Sequence, residues 1–152
     1  MAIRNITKMG DPILRKKCKE VTAFDAKLHQ LLDDMIETLH KVEGLGLAAP
    51  QVGVLKRVCI VEYDEKLYEL VNPVLLSSQG SCVDNEGCLS VVGFRGLVRR
   101  PQKIAIEYFD RHGNKQCLEA EGYFARVFLH EMDHLDGILF ADKMIKKIID
   151  ED

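Results

Sequence analysis

The sequence lacks several features that would place it in a specialised class of protein. No apolar run approaches the roughly 20 residues that a membrane-spanning helix needs, so we expect no membrane anchor. The net charge of -3 gives no general reason to expect direct nucleic-acid binding. The first residues, MAIRNITKMGDP, have neither the apolar core nor the small-residue cleavage site of a signal peptide. We therefore expect a cytoplasmic protein.

The cysteines do not form the pattern of a disulfide framework. There are five of them, an odd number, and no signal peptide precedes them. Most should be reduced and buried as small apolar residues, which leaves one of them free to serve as a metal ligand. Internal repeats, low-complexity tracts and linkers are also absent, so we expect a single domain over residues 1–152.

Three segments have the sequence pattern of helices. Residues 24–43 carry apolar side chains at helical spacing, and Thr22 with Asp25 resembles a capping box before an amphipathic helix. Residues 123–135 are apolar on nearly all sides, which is typical of a buried helix. Residues 142–149 are predicted to form a short terminal helix.

The middle of the chain is rich in strand patterns. Five segments are predicted to be strands: 57–63, 66–72, 73–78, 103–110 and 115–122. The last two alternate on either side of a turn and predict a hairpin, while the glycines and proline of residues 44–53 argue against a regular element there. The order predicts an α+β fold, in which antiparallel β-sheets pack around a buried central helix, with an amphipathic helix near the N-terminus.

The buried helix contains the stretch LHEMDHLDG, which includes the pattern H-E-x-x-H. His130 and His134 lie four residues apart and share one face, so both imidazoles can bind one metal ion with Glu131 beside it as a base. A lone buried histidine is more often a hydrogen-bonded core residue, but two of them with a glutamate on an apolar helix favour a site. A catalytic site of this kind usually has a third protein ligand and an open position.

The residues after the motif do not supply that third ligand. Gly137 fits the extended pattern H-x-x-G-x-x-H, but Phe140 stands at its ligand position. Asp136 and Asp142 are too close to the helix to fold back, and the acids at 150–152 are the last residues of the sequence. We therefore expect a ligand from upstream.

Cysteine is the favoured residue type for this upstream ligand. Cys88 lies in the glycine-rich segment NEGCLSVVG, where the backbone can approach a metal closely, and a thiolate is a good ligand for zinc or ferrous iron. Cys82, Cys117 and Cys59 remain alternatives, although Cys59 and Cys117 lie in strand patterns and are expected in the core.

Three segments together resemble the signature motifs of the peptide deformylases. They are GLGLAAPQ (44–51), EGCLS (86–90) and HEMDH (130–134), in the order and at the usual spacing of that family. The likeness extends over essentially the whole chain. Two departures are Val92, where proline is common, and Leu129, where glutamine often precedes the motif.

The resemblance implies a catalytic metal centre. By this likeness, Cys88, His130 and His134 bind one divalent metal ion, and Glu131 is the general acid–base. The metal in the cell would be ferrous iron, Fe2+, while zinc, nickel or cobalt would also bind such a ligand set.

The resemblance also implies how the substrate is held. Gln51 and the backbone N–H of Leu89 would stabilise the oxyanion of the transition state. Gly46 and Leu45 would bind the substrate peptide as an added strand, and Arg95 would lie near that peptide. The methionine side chain needs an apolar slot, for which Leu45 and Val127 are candidates.

The implied activity is hydrolytic removal of the formyl group from the N-terminal formylmethionine of new polypeptides in the bacterial cytoplasm. Its partners would be N-formylmethionyl nascent peptides and, transiently, the ribosome. Two other classes compete with this interpretation. One is a zinc endopeptidase of the same motif type, and the other is a non-catalytic domain with a structural metal, which needs a fourth ligand such as Cys82.

Overall fold

The protein combines two antiparallel β-sheets with two α-helices, seen in a computed structural model that describes residues 2–149. The α-helices are α1 (Ala26–Val42) and α2 (Gly122–His134). The strands are β1 (Gly46–Ala48), β2 (Val58–Tyr63), β3 (Lys66–Gln79), β4 (Cys82–Cys88), β5 (Val91–Arg100), β6 (Lys103–Phe109), β7 (Lys115–Glu121) and β8 (Met144–Ile149). Short 3-10 helices cover Pro12–Arg15, Ala49–Val52 and Phe140–Asp142. The predicted α+β class with antiparallel sheets is confirmed.

The two sheets divide the strands between them. The larger sheet has the order β1-β2-β3-β6-β7, and the smaller one has the order β4-β5-β8. Every neighbouring pair is antiparallel, and the predicted hairpin is confirmed as β6 and β7. β1 is a terminal strand of its sheet, where Gly46 pairs with Val61 of β2. Its other edge therefore lacks a strand partner within residues 2–149.

Helix α1 is held by one apolar face and by a side-chain cap. The Leu28 N–H donates to the Asp25 side chain, so Asp25 itself is the N-cap rather than a partner of Thr22. Leu28, Leu32 and Leu39 are fully buried against the larger sheet, in a cluster that includes residues of β1 and β2. Burial of this stripe fixes where the chain leaves α1 and enters β1.

Helix α2 packs on the larger sheet and also reaches the smaller one. It contacts β1, β2, β6 and β7, and Phe128 is completely buried in that core. On the other side, the guanidinium of Arg126 donates to the carbonyl oxygens of Val98 on β5 and Cys82 on β4. Neither α1 nor α2 is long and apolar enough to cross a membrane, which holds for the described part of the chain.

The predicted terminal helix over 142–149 is wrong. The segment instead leaves a 3-10 turn and forms β8, in which Ile149 pairs with Phe94 and Lys147 with Gly96 of β5. The free edge of β5 accepts this strand, and the β-branched residues Ile145 and Ile148 favour extended structure. The acids at 150–152, weighed above as ligands, lie outside the described residues.

Other boundaries also differ from the prediction. The segments 66–72 and 73–78 form one strand, β3, which continues through register shifts after Val71, next to Asn72 at a φ of 52°. The segment 44–53 contains the short strand β1 and a 3-10 helix, and β4 and β5 were not predicted at all. These two strands matter most, because β4 ends at Cys88.

Candidate active site

The end of β4 meets the C-terminal half of α2 in a cluster of metal-binding residue types. The Sγ of Cys88 and one ring nitrogen each of His130 and His134 all lie within 4.8 Å of one another. Cys88 Sγ is 3.3 Å from His134 Nε2. Within residues 2–149 this is the one group of three such side chains found.

The other cysteines lie outside this cluster. Cys82 is half-buried at the start of β4, and Cys117 is exposed, so the expectation that Cys117 is a core residue is wrong. Cys18 and Cys59 are buried in the core of the larger sheet. Burial raises the pKa of the Cys18 thiol to about 11 and the pKa of Cys59 well above its ordinary value. Both therefore remain thiols near neutral pH and are poor ligands.

Glu86 fixes the orientation of His130. Its buried carboxylate accepts hydrogen bonds from Arg100 at 2.5 and 2.9 Å, from Arg126 at 2.7 Å and from His130 Nδ1 at 2.9 Å. Burial alone would raise the pKa of Glu86, but the bonds from Arg100 and His130 hold it well below the ordinary range. With Nδ1–H donating to Glu86, the lone pair of His130 Nε2 is free for a metal ion.

His134, the last residue of α2, is almost completely buried. Burial lowers its pKa well below the ordinary value, and the neighbouring His130 and Arg100 lower it further. Its Nδ1 is buried with no hydrogen-bond partner among the described residues, while Nε2 faces Cys88. A neutral imidazole, a second imidazole and a thiol fit a divalent cation with three protein ligands and an open position.

Glu131 is buried beside this cluster and close to β1. A Cβ added at Gly46 would lie 2.6 Å from Glu131 Oε2, so the carboxyl group packs directly against the glycine backbone. Burial raises the pKa of Glu131 to about 7, with the nearby His130 opposing the shift. Its Oε1 has no hydrogen-bond partner within residues 2–149. The group is therefore able to accept and release a proton near neutral pH.

Gln51 points its carboxamide at the cluster from the 3-10 helix after β1. Its Oε1 accepts the Ala48 N–H at 2.9 Å, which determines which end of the amide faces the site. Its Nε2 donates to Ser90 Oγ at 3.0 Å and lies 3.6 Å from Cys88 Sγ. Leu89, between Cys88 and Ser90, belongs to the turn from β4 to β5.

One cleft joins the remaining predicted residues. It is lined by Leu45, Gly46, Gln51, Cys88, Leu89, Arg95, Val127, His130 and Glu131, together with six other residues. Leu45, Leu89 and Val127 make part of its wall apolar, while His134 touches Cys88 behind it. Arg95 lies across Gly87, where a Cβ would be 2.8 Å from its Nη1, and donates to Asn85 at 3.0 Å.

Three charged residues of the site were missed by the sequence analysis. No role in the site was predicted for Glu86, Arg100 or Arg126, yet all three are at most 4% exposed. A signal was present for Arg126: it lies four residues before His130 on a helix that is otherwise apolar, and a buried charge requires a partner. The departures Val92 and Leu129 do not line the cleft.

The fold and site together define a hydrolase class that carries H-E-x-x-H on a buried helix beside a cysteine-bearing strand. The family model described as polypeptide deformylase matches residues 3–148 of the chain. The chain belongs to the polypeptide deformylase family.

Individual relatives agree with this assignment. The peptide deformylase of Caldicellulosiruptor bescii is 54% identical over 152 residues, which cover 100% of this chain and 92% of the relative. The crystal structure of peptide deformylase from Thermotoga maritima superposes with a TM-score of 0.92 at 39% identity, covering 95% of this chain and 99% of that one. A crystal structure of a peptide deformylase from Legionella pneumophila gives a TM-score of 0.91 at 39% identity, covering 94% of this chain and 86% of that one.

Proposed function

We propose that this protein hydrolyses the formyl group from the N-terminal formylmethionine of newly made polypeptides, releasing formate and a free amine. Family membership supports the activity. The main structural support for this activity is that Cys88, His130 and His134 lie together, next to the buried Glu131 in one cleft. Neither an endopeptidase nor a structural metal site is favoured by a feature of this cleft.

In this proposal Cys88, His130 and His134 hold one divalent cation, with Fe2+ as the metal in the cell and zinc, nickel or cobalt as replacements. The donor set of one thiolate and two imidazoles supports this assignment, since it suits each of these metals. A bound cation supplies the Lewis acidity that amide hydrolysis needs near neutral pH.

Glu131 acts as the general base and then as the general acid. It takes a proton from the attacking water and returns it to the amine as the bond between the formyl carbon and nitrogen breaks. A pKa of about 7, raised by burial, supports both steps because each protonation state is populated near neutral pH. The contact with Gly46 holds the carboxyl group in place between the steps.

Gln51 and Leu89 stabilise the oxygen that becomes negatively charged. The Nε2 of Gln51 lies 3.6 Å from Cys88 Sγ, next to the cluster, and Leu89 follows Cys88 directly. Hydrogen-bond donors placed in this way interact more strongly with the transition state than with the formyl carbonyl.

The substrate peptide adds to the free edge of β1. Gly46 and Leu45 border the cleft at this edge, and an extended peptide can form main-chain hydrogen bonds with such a strand. Leu45 and Val127 then contribute to an apolar slot for methionine, while Arg95 lies near the following residues. A single domain over residues 1–152 and a cytoplasmic location remain predictions from the sequence. The bacterial setting and a transient ribosome contact remain predictions from the resemblance.

The direct test uses protein purified without oxygen, because thiolate-bound ferrous iron is sensitive to oxidation. Formate release from formyl-Met-Ala is measured together with the metal content of the same sample. We expect turnover that depends on about one bound metal per chain. Cleavage of internal peptide bonds without formate release would contradict the proposal and favour an endopeptidase.

A further inference from the structure

The two proposed oxyanion donors come from different sheets. Gln51 belongs to the 3-10 helix after β1, in the larger sheet, and Leu89 belongs to the turn between β4 and β5, in the smaller sheet. Among the hydrogen bonds of residues 2–149, none joins the backbone of 49–52 directly to that of 88–91. Their separation must therefore be set by other contacts.

Between these two segments of the described chain, the side chain of Ser90 makes one of two direct connections, the other being the longer contact between Gln51 Nε2 and Cys88 Sγ at 3.6 Å. Ser90 and Gln51 are each 1% exposed, and Ser90 Oγ accepts a hydrogen bond from Gln51 Nε2 at 3.0 Å. A carboxamide nitrogen has two hydrogens, and the Gln51 oxygen is already engaged by the Ala48 N–H. One N–H thus points to Ser90, and the other points to Cys88 Sγ, 3.6 Å from Nε2, on the side of the cleft.

The N-terminal segment Thr7–Met9 holds the backbones of the same two residues. Its Thr7 N–H donates to the Gln51 carbonyl at 2.7 Å, and its Met9 N–H donates to the Ser90 carbonyl at 2.7 Å. The Thr7 hydroxyl also donates to the Pro50 carbonyl at 3.1 Å. With both backbones held, the Ser90 hydroxyl can fix the direction of the Gln51 amide.

We propose that Ser90 is a positioning residue for deformylation, acting through Gln51. Its hydroxyl holds one N–H of the carboxamide so that the second N–H is aimed at the developing oxyanion. This inference rests on the proposed role of Gln51. Ser90 does not line the cleft and acts only through its hydrogen bond with Gln51 Nε2.

The consequence is a loss of turnover with little change in substrate binding. Without Ser90 Oγ the carboxamide keeps only the Ala48 N–H on its oxygen and the long contact with Cys88 Sγ, so its nitrogen is held less firmly. A misdirected donor loses contact with the transition state more than with the ground state. For Ser90→Ala we expect kcat to fall roughly tenfold or more, with KM within about threefold of the wild type. A merely structural serine would instead lower thermal stability or metal content.

The test is a double-mutant cycle with Ser90→Ala, Gln51→Ala and the double variant, assayed on formyl-Met-Ala at equal metal content. Gln51→Ala should lower kcat by about 100-fold. If Ser90 acts through Gln51, adding Ser90→Ala to Gln51→Ala should cause no further loss beyond about twofold. Should Ser90→Ala not fold, Ser90→Gly takes its place in the cycle.

A second measurement does not depend on turnover. The NMR spectrum of the zinc-loaded, 15N-labelled protein contains a side-chain amide signal from Gln51. This signal is identified as the one that is missing from the spectrum of Gln51→Ala. Ser90→Ala should shift this signal, because the amide loses its acceptor, whereas Ser90→Thr keeps the acceptor oxygen and should retain both the shift and most of kcat. Ile106→Val, a core truncation on β6 away from the cleft, is the control for stability alone.

The outcomes separate the two proposals. Near-normal kcat in Gln51→Ala would remove the oxyanion role of Gln51 and with it the basis for Ser90. A large loss in Gln51→Ala combined with an additive loss from Ser90→Ala, or an unchanged Gln51 amide signal, would overturn the role of Ser90 and leave the proposed function standing.

Discussion

Gly46 and Glu131 are in such close contact that no side chain fits between them. A Cβ at residue 46 would lie 2.6 Å from Oε2 of Glu131 and 2.8 Å from its Cγ. Gly46 belongs to the terminal strand β1 and Glu131 to the buried helix α2. The glycine thus determines where the carboxyl group can lie, in addition to offering its backbone at the edge of the sheet.

Replacing this glycine with alanine should therefore displace Glu131. We expect Gly46→Ala to lower kcat/KM for formyl-Met-Ala by at least about tenfold, corresponding to about 1.4 kcal/mol of transition-state stabilisation. Gly93→Ala is the control for backbone strain: Gly93 has a φ of +95°, which is unfavourable for alanine, whereas Gly46 is not among the positive-φ glycines, and a Cβ added at Gly93 meets nothing within 4 Å. Equal losses of activity in both variants would contradict a specific effect of the contact between residue 46 and Glu131.

The two cysteines of β4 should differ in their effect on metal binding. Cys88 faces His134 at 3.3 Å, whereas Cys82 lies at the opposite end of the strand. Cys88→Ser should lower the metal content measured on anaerobically purified protein, because a hydroxyl is a poorer ligand for these metals than a thiolate. Cys82→Ser should keep the wild-type content, and similar behaviour of both variants would leave Cys88 without support as a ligand.

Glu86 should be needed for stability as well as for the orientation of His130. Glu86→Gln removes the buried carboxylate that Arg100 and Arg126 share, although Arg100 keeps Asp133 as a partner. Breaking a buried pair of this kind costs about 3–5 kcal/mol. The control is Glu107→Gln, whose partner Lys115 is largely exposed, with an expected cost of at most about 1 kcal/mol. Urea unfolding of the two variants measures the difference, and equal costs would contradict a special role of the buried network.

Asp34 should make the free energy of unfolding depend on pH. Burial opposes ionisation of this side chain, but hydrogen bonds from the Ala2 N–H, Gln30 and Arg4 outweigh burial and lower its pKa. A pKa that is lower in the folded state stabilises the protein at pH values above the unfolded-state pKa of about 3.9. This stabilisation is lost as the pH falls through the folded-state pKa.

The difference in unfolding free energy between wild type and Asp34→Asn should therefore be largest near pH 7 and shrink below about pH 4. Urea titrations at a series of pH values measure it. Asp64→Asn, in the exposed turn between β2 and β3, is the control for the change in net charge alone. A difference for Asp34→Asn that stays constant down to pH 3 would contradict this account.

The sequence was most informative where one pattern determined the structure locally. The apolar repeat before Gly44 corresponds to α1, and the alternation around residues 111–114 corresponds to the β6–β7 hairpin. The helix predicted for residues 142–149 was wrong because this segment pairs with the edge of β5, which is distant in sequence. The structure of a short segment depends on such a partner more than on its intrinsic propensity. β4 and β5 were missed because their glycines suggested a loop, although Gly96 is where the side chain of Met144 packs.

The site shows the same division between local and distant information. The spacing of His130 and His134 indicated a shared helix face, and the glycine-rich surroundings favoured Cys88. The motif resemblance was needed to exclude the other cysteines. The interactions of Glu86 with Arg100 and Arg126 join three elements. The apolar helix around Arg126 could indicate the burial of that residue, but its pairing with Glu86 could not be inferred from the neighbouring sequence.

The central claim, that Glu131 transfers protons beside a cation held by Cys88, His130 and His134, is tested most directly by Glu131→Gln. Metal content and formate release from formyl-Met-Ala are measured on the same anaerobic preparation of wild type and variant. The account predicts unchanged metal content and a kcat lowered by about 100-fold or more. Turnover within a few-fold of the wild type at full metal content would contradict it.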